Sequence, residues 1–266
     1  MTDTHAVSKQ IRKLTLKCIN SQGSGHVGGS LSIVDVLTVL YTKFMRVDPA
    51  QPKMPGRDRL VLSKGHAGPA LYATLCYKGY FEEDQLLTLN KLGTKLPSHC
   101  NMDLTPGVDM TAGSLGQGLS CACGLALGSK IAGDNAMVYA IVGDGELQEG
   151  QNWEAAMFAG AKKLDNLVVF VDANGLQIDG TTDAVLKVED FEQKFAAFGF
   201  ATQRIDGHDH QAIENAIKGI TKGVPNCIVL NTVKGKGVSF YEAMGVGVHS
   251  TNCNDEQYKL ALEELN

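Results

Sequence analysis

The chain has 266 residues, 44% of them hydrophobic and 20% charged, which is the profile of a globular protein large enough to build its core without disulfides. Its net charge of −5 and pI near 5.8, with the basic residues scattered, argue against a nucleic-acid partner or an anionic membrane surface. The seven cysteines form no C-x-x-C pair, so reduced thiols in a cytoplasmic protein are expected, with Cys76 and Cys227 as small core residues. The opening MTDTHAVSKQIRKL lacks the apolar stretch of a signal peptide. No window reaches roughly 18 uninterrupted apolar residues, so no membrane span is expected.

In chain order, residues 31–45 have helical periodicity, and RLVLS (59–63) is a short apolar run closed by a polar turn. A small-residue stretch at 116–132 predicts a second helix, followed by the strand AMVYAIVGD (136–144). Residues 151–164 then place Trp153, Ala156, Met157, Gly160 and Leu164 on one helical face. NLVVFVDAN (166–174) and FATQRIDG (200–207) read as strands, 210–222 as a helix, CIVLNTV (227–233) as a strand and 255–265 as a helix. Three of the five strand runs do not alternate in polarity, as strands buried on both faces of a sheet do not. Strand alternating with helix predicts an α/β fold with a mostly parallel sheet flanked by helices.

Ligands of such sheets sit beyond the carboxyl ends of the strands. Asp144 lies just past one such end and Asn174 past the next, thirty residues later, the span of one right-handed βαβ crossover. Two adjacent strand tips would then offer a carboxylate and an amide oxygen. Mg²⁺ prefers few hard oxygen ligands from protein, completed by phosphate and water. Gly143 and Gly145 let backbone approach a phosphate, and a helix beginning near Glu149 turns its positive end that way. The bland alternative is a solvated turn; the pairing with Asn174 favours a metal–diphosphate site.

GDG followed about thirty residues later by asparagine resembles the thiamine-diphosphate signature. The wording GDGELQEGQNWEA resembles transketolases in particular. So do GSGHVGGSLS (23–32), LSKGHAGPALYATL (62–75), PGVDMTAGSLGQGLS (106–120), DGHD (206–209) and TVKGKGVSF (232–240). The resemblance covers most of the chain, but only the first, diphosphate-binding domain of a transketolase. It implies a thiamine-diphosphate-binding fold, one domain over residues 1–266, and the N-terminal subunit of a split transketolase. A C-terminal partner subunit would carry the pyrimidine-binding domain, two copies of each chain being expected. The implied activity is transfer of a two-carbon ketol unit from a ketose to an aldose, both sugars or sugar phosphates. A related 2-oxoacid dehydrogenase component, or an inactive cofactor-binding paralogue, is the alternative.

Residue by residue, the resemblance implies that Asp144 and Asn174, with the Leu176 carbonyl, ligate Mg²⁺ or another divalent cation such as Ca²⁺ or Mn²⁺. It implies that Gly145 meets the diphosphate, that His66 and His249 contact it and face the substrate channel, and that Gly113, Ser114 and Leu115 line the cofactor. His26 and His99 would reach the sugar, and Glu149 would lie at the subunit boundary. The chain departs from the family at Ser250, where a glycine usually follows the histidine, which puts the local loop geometry in question. Without the resemblance, His26 and His99 are ordinary loop histidines, Glu149 a first-turn acid, and Lys64 and Lys234 surface lysines. His208 and His210 have the look of a metal pair; DGHDH is instead read as a turn and a helix cap at Asp209.

Overall fold

The computed structural model describes residues 3–188 and 190–266. In chain order its strands are β1 (Ser24–Gly25), β2 (Arg59–Leu62), β3 (Val138–Gly143), β4 (Leu167–Ala173), β5 (Leu176–Gln177), β6 (Gly180–Thr181), β7 (Ala201–Asp206), β8 (Asn226–Asn231) and β9 (Thr251–Asn252). The five runs expected as strands are β2, β3, β4, β7 and β8. They form one sheet in the order β2-β3-β4-β8-β7, every pairing parallel. The chain passes over the β8 position to the edge strand β7 and returns; of the five strands β7 is the half-exposed one, while the other edge strand, β2, is mostly buried. The remaining strands make two small antiparallel ribbons, β1–β9 and β5–β6.

Successive residues of the inner strands feed opposite faces of the sheet. Tyr139, Ile141, Val168, Phe170, Ile228 and Leu230 join one apolar core; Val138, Ala140, Val142, Val169, Val171 and Val229 join the other. Both faces of the inner strands are buried, which is why the runs show no polar alternation. The first core is covered by helices Thr4–Asn20, Val34–Val39, Gly68–Lys78 and His210–Lys218, the second by Gln117–Ala132, Gln151–Ala161 and Phe191–Ala197.

The 17-residue helix Thr4–Asn20 has no counterpart among the expected elements. It is capped by the Asp3 carboxylate, which accepts from the His5 and Ala6 N–H groups. Its apolar stripe of Val7, Ile11, Leu14 and Cys18 is interrupted by Ser8 and Arg12, which are nonetheless buried. The expected helix 31–45 is Val27–Leu31, Val34–Val39 and a π turn at Leu40–Phe44. This Val27–Phe44 stretch has the length and mean hydropathy (1.3) of a membrane span, but 83% of it is buried in the core.

Of the face expected for 151–164, Ala156 and Leu164 are buried, Trp153 packs against the second core and Gly160 meets the turn at Phe198, but Met157 is 57% exposed; Asn152, Ala155 and Ala159 complete the buried face. Close approach selects the small residues. An ideal Cβ on Gly160 would lie 1.7 Å from the Phe198 carbonyl oxygen, so the helix seats against that turn only through glycine.

Helix propensity favours alanine over glycine by about 0.5–1 kcal/mol. Gly128→Ala, on an open helical surface, is expected to raise stability by about that amount, and Gly160→Ala to lower it by about 1–3 kcal/mol through overpacking. Urea unfolding of the two variants reads both signs.

Candidate active site at the strand tips

Parallel pairing sets Gly143 opposite Asp172, which brings the turn after β3 against the turn after β4. Asp144 is buried; its Oδ1 accepts the Gly145 N–H at 2.8 Å and its Oδ2 the Gly175 N–H at 2.5 Å. The Asp144 carboxylate therefore touches the backbone next to Asn174. Asn174 donates from Nδ2 to Asp172 Oδ2 (3.1 Å) and accepts at Oδ1 from the Leu176 N–H (3.1 Å), which fixes the face its amide oxygen presents. The Leu176 carbonyl accepts from Lys234 Nζ at 2.7 Å. Burial, and then the charge of Asp172, push the Asp144 carboxyl up to about 6, against the pull of its two N–H donors.

Asp172 is set apart from Asp144 because its charge is already matched by Lys64 and its oxygens accept from four side chains. Thr232 Oγ1 donates to Oδ1 (2.5 Å); Ser32 Oγ (2.8 Å) and Lys64 Nζ (2.5 Å) donate to Oδ2. Burial alone would raise this carboxyl, but the Lys64 charge and these hydrogen bonds hold it below its ordinary value. Asp144, by contrast, accepts only backbone N–H groups and sits beside an amide oxygen and a peptide carbonyl. That donor set is hard, oxygen-only and short of six, as fits a small divalent cation finished by phosphate oxygens. Among the described residues no group of three or more His, Cys, Asp or Glu side chains is arranged for a metal, so a purely side-chain site is not the alternative.

Above these tips lies a cavity of about 270 Å³ lined by four histidines from four segments. His26 follows β1 and His249 precedes β9; the pairing of Gly25 with Thr251 holds them together. His66 sits on a single turn past β2, and His99 on the loop before Cys100. Ring centroids are 5.2 Å apart for His26 and His66, 5.8 Å for His26 and His99, 5.4 Å for His26 and His249, and 5.1 Å for His66 and His249. A Cβ on Gly65 would lie 2.4 Å from the Ala112 carbonyl oxygen, so glycine is required to seat His66 against the wall ending at Gly113. Burial first, then neighbouring cations, depress three of these imidazoles: His249 to about 3, His66 well below its ordinary value, and His26 less so.

Residues 3–265 match the transketolase thiamine diphosphate binding domain family. The chain belongs to the transketolase family. It is 52% identical to the 6-deoxy-6-sulfo-D-fructose transketolase subunit SqwG of Clostridium sp. (strain MSTE9), covering 96% of this chain and 93% of that protein. It is 40% identical to an apulose-4-phosphate transketolase subunit of Actinobacillus succinogenes, covering 96% and 92%. The solved transketolase of Campylobacter jejuni superposes with a TM-score of 0.93 at 32% identity, over 100% of this chain but 43% of that one. The chain thus spans about two fifths of a solved transketolase. Its family domain binds thiamine diphosphate with a divalent cation.

Of the residues expected in a transketolase site, the cavity gathers His26, His66, His99, His249, Gly113, Leu115, Asp144, Gly145, Asn174 and Leu176. Ser114 is exposed and outside that lining, and so is Glu149. The helix expected to begin near Glu149 starts at Gln151, after a separate turn at Gly145–Gln148. The lysines are the larger correction. Lys64 (2% exposed) and Lys234 (4%) are buried and line the cavity, and burial lowers the Lys234 amine to about 8. Both follow strand ends, β2 and β8, a position that marks them in the sequence. Glu146 was likewise not singled out. It is a buried acid that accepts from Ser63 Oγ and from the Gly116 and Gly143 N–H groups (both 2.9 Å), fastening the 113–116 loop to the β3 tip. Ser250 leaves His249 in place: it is not among the non-glycine residues with positive φ, so its backbone makes no demand for glycine.

The depressed histidines set a pH dependence. Unfolded, they take protons near 6.5; folded, His249 does so near 3, so stability falls as pH drops below 6.5. Asp144 acts oppositely, since raising its value from 3.8 to about 6 removes stability as pH rises through 6. Between about pH 7 and about pH 6 the histidines dominate. The cofactor-free chain is expected to melt at lower temperature at the acidic end, with a smaller drop in His66→Asn; an equal drop in both would contradict this assignment.

Proposed function

We propose that this chain is the diphosphate-binding half of a two-chain transketolase, transferring a two-carbon ketol unit from a ketose to an aldose. The carrying observation is the convergence of four histidines, with neighbouring ring centroids 5.1–5.8 Å apart, beside the oxygen set of Asp144, Asn174 and Leu176. Residues 1–266 form one diphosphate-binding domain in this reading, and a partner chain supplies the pyrimidine-binding domain, two copies of each assembling. Two relatives whose names call them transketolase subunits, of which this chain covers 93% and 92%, support this reading. The setting is cytoplasmic, consistent with seven unpaired cysteines.

Thiamine diphosphate, when bound, supplies the electron sink that lets a carbon–carbon bond beside a ketone be broken and remade. Asp144, Asn174 and the Leu176 carbonyl would hold the divalent cation, Mg²⁺ in the first instance, and the cation would supply the positive charge that the diphosphate needs. Gly145, lacking a side chain, lets the diphosphate approach. Lys234 would place positive charge beside the diphosphate, with His66 and His249 facing it, while Lys64 is held by Asp172 behind it. Gly113 and Leu115 form the wall, with Ser114 on the adjoining exposed turn. His26 and His99 line the same cavity, where imidazoles can exchange protons with sugar hydroxyls. Exposed Glu149 is free to meet the partner chain.

The donor is a ketose ending in an anionic group, a sulfonate or a phosphate, as in the names of the two subunit-sized relatives. A sulfo-ketose is therefore the first donor to assay, with a ketose phosphate beside it. Turnover of pyruvate without any ketose would reject the reading in favour of a 2-oxoacid dehydrogenase component.

Asp144→Ala is expected to abolish Mg²⁺-dependent thiamine diphosphate binding by the assembled complex. Titration calorimetry checks this, and an unchanged affinity would refute the cation assignment. Purified alone, the chain is expected to show no ketol transfer in a coupled aldehyde-release assay, and to gain it when the pyrimidine-domain chain is added.

A further inference from the structure

The DGHDH stretch has no part in the site just described, yet it ends in a buried polar network. Asp209 caps the helix His210–Lys218, accepting from the Gln211 and Ala212 N–H groups, and the two flanking histidines converge on Asp35. Asp35 Oδ2 receives His208 Nδ1 (2.7 Å) and Arg12 Nη2 (2.6 Å); Oδ1 receives Arg12 Nη1 (2.9 Å) and His210 Nε2 (2.9 Å). Burial would raise this carboxyl, but the two histidine hydrogen bonds and the Arg12 guanidinium hold it well below its ordinary value. It is a saturated anion, so each partner is fixed in direction.

Two of those partners reach onward to one turn. His208 Nε2 accepts the Val233 N–H at 2.8 Å, and Arg12 Nε donates to the Lys236 carbonyl at 3.0 Å. An acceptor at Nε2 requires the hydrogen on Nδ1, the tautomer that Asp35 selects. The turn 233–236 is thus gripped at both ends by groups that share one carboxylate. Between the grips, Gly235 N–H binds the Gly28 carbonyl (3.1 Å), and Lys234 projects to the Leu176 carbonyl (2.7 Å) and His249 Nδ1 (3.1 Å). Glycine at 237 is needed for the same arrangement, because a Cβ there would lie 2.8 Å from Arg12 Cδ.

We propose that Arg12, Asp35 and His208 are positioning residues that set the turn 233–236 and thereby aim Lys234 into the cofactor cavity. The use of that amine by the cofactor rests on the transketolase reading; its aim does not. The test is trace amine labelling of the full chain at one pH, quantified by mass spectrometry against exposed Lys259. In the wild type, Lys234 should label about tenfold more slowly than Lys259, because its turn must open first. His208→Ala should bring the two rates together, while His208→Gln, whose amide oxygen still accepts from Val233, should retain the protection. Lys234 equally protected in a folded His208→Ala variant would overturn the proposal, since a purely structural histidine shifts the melting temperature and leaves this ratio alone. Should His208→Ala not fold, imidazole nitrogen NMR of the wild type decides: Nδ1–H supports the proposal and Nε2–H overturns it. None of these readouts requires cofactor, so they stand or fall apart from the ketol-transfer assay.

Discussion

The parallel register of β3 against β4 is the constraint on which the rest depends. With Gly143 opposite Asp172, the turns leaving the two strands meet, and Asp144 reaches the Gly175 N–H. A slip of one residue would reverse the facing of every side chain on β4, burying Asn174 or losing Asp172 from its cluster. The two apolar cores forbid that slip, because Val168 and Phe170 belong to one and Val169 and Val171 to the other. The oxygen set is thus held by the packing of residues that never touch it.

Charge in the pocket is arranged by pairing some groups and leaving others. Lys64 and Asp172, both nearly inaccessible to water, neutralise one another and orient Asn174. Glu146 is satisfied by a hydroxyl and two backbone N–H groups. Among the described residues, Asp144 and Lys234 have no counter-ion in direct contact, and they are displaced in opposite directions, to about 6 and about 8. A buried carboxylate and a buried amine carried at such cost suit a site that meets a cation and an anion together. His26, His66 and His249 are kept neutral by the same burial, which leaves them able to exchange protons with hydroxyl groups.

The site is also a junction of distant segments. Gly28 lies beside Lys234, Gly65 against Ala112, and the β1–β9 ribbon joins residues near both ends of the chain. Glycine recurs where backbones cross. The stretches with family resemblance are therefore largely the stretches that meet at the strand tips, together with the buried braces behind them.

The five strands, their pairing in a mostly parallel sheet, the adjacency of Asp144 and Asn174, and the cap at Asp209 follow from the sequence alone, whereas the order of the strands does not. These are local signals: apolar runs, a crossover length, a polar residue before a periodic segment. His66 is marked by its place between a strand end and a helix, but His26 and His99 were legible only through the resemblance, because nothing local distinguishes either from a solvated loop residue. Tertiary structure alone decided that Lys64 and Lys234 are buried, that Glu146 fastens a loop, and that Ser114 and Glu149 lie off the cavity. It also decided which face of Gln151–Ala161 packs, and that Thr4–Asn20 is a helix despite a buried Arg12. The reason is common to all of these. Burial of a polar side chain depends on partners far away in sequence, such as Asp172 for Lys64 and Asp35 for Arg12, and a local pattern carries no record of them.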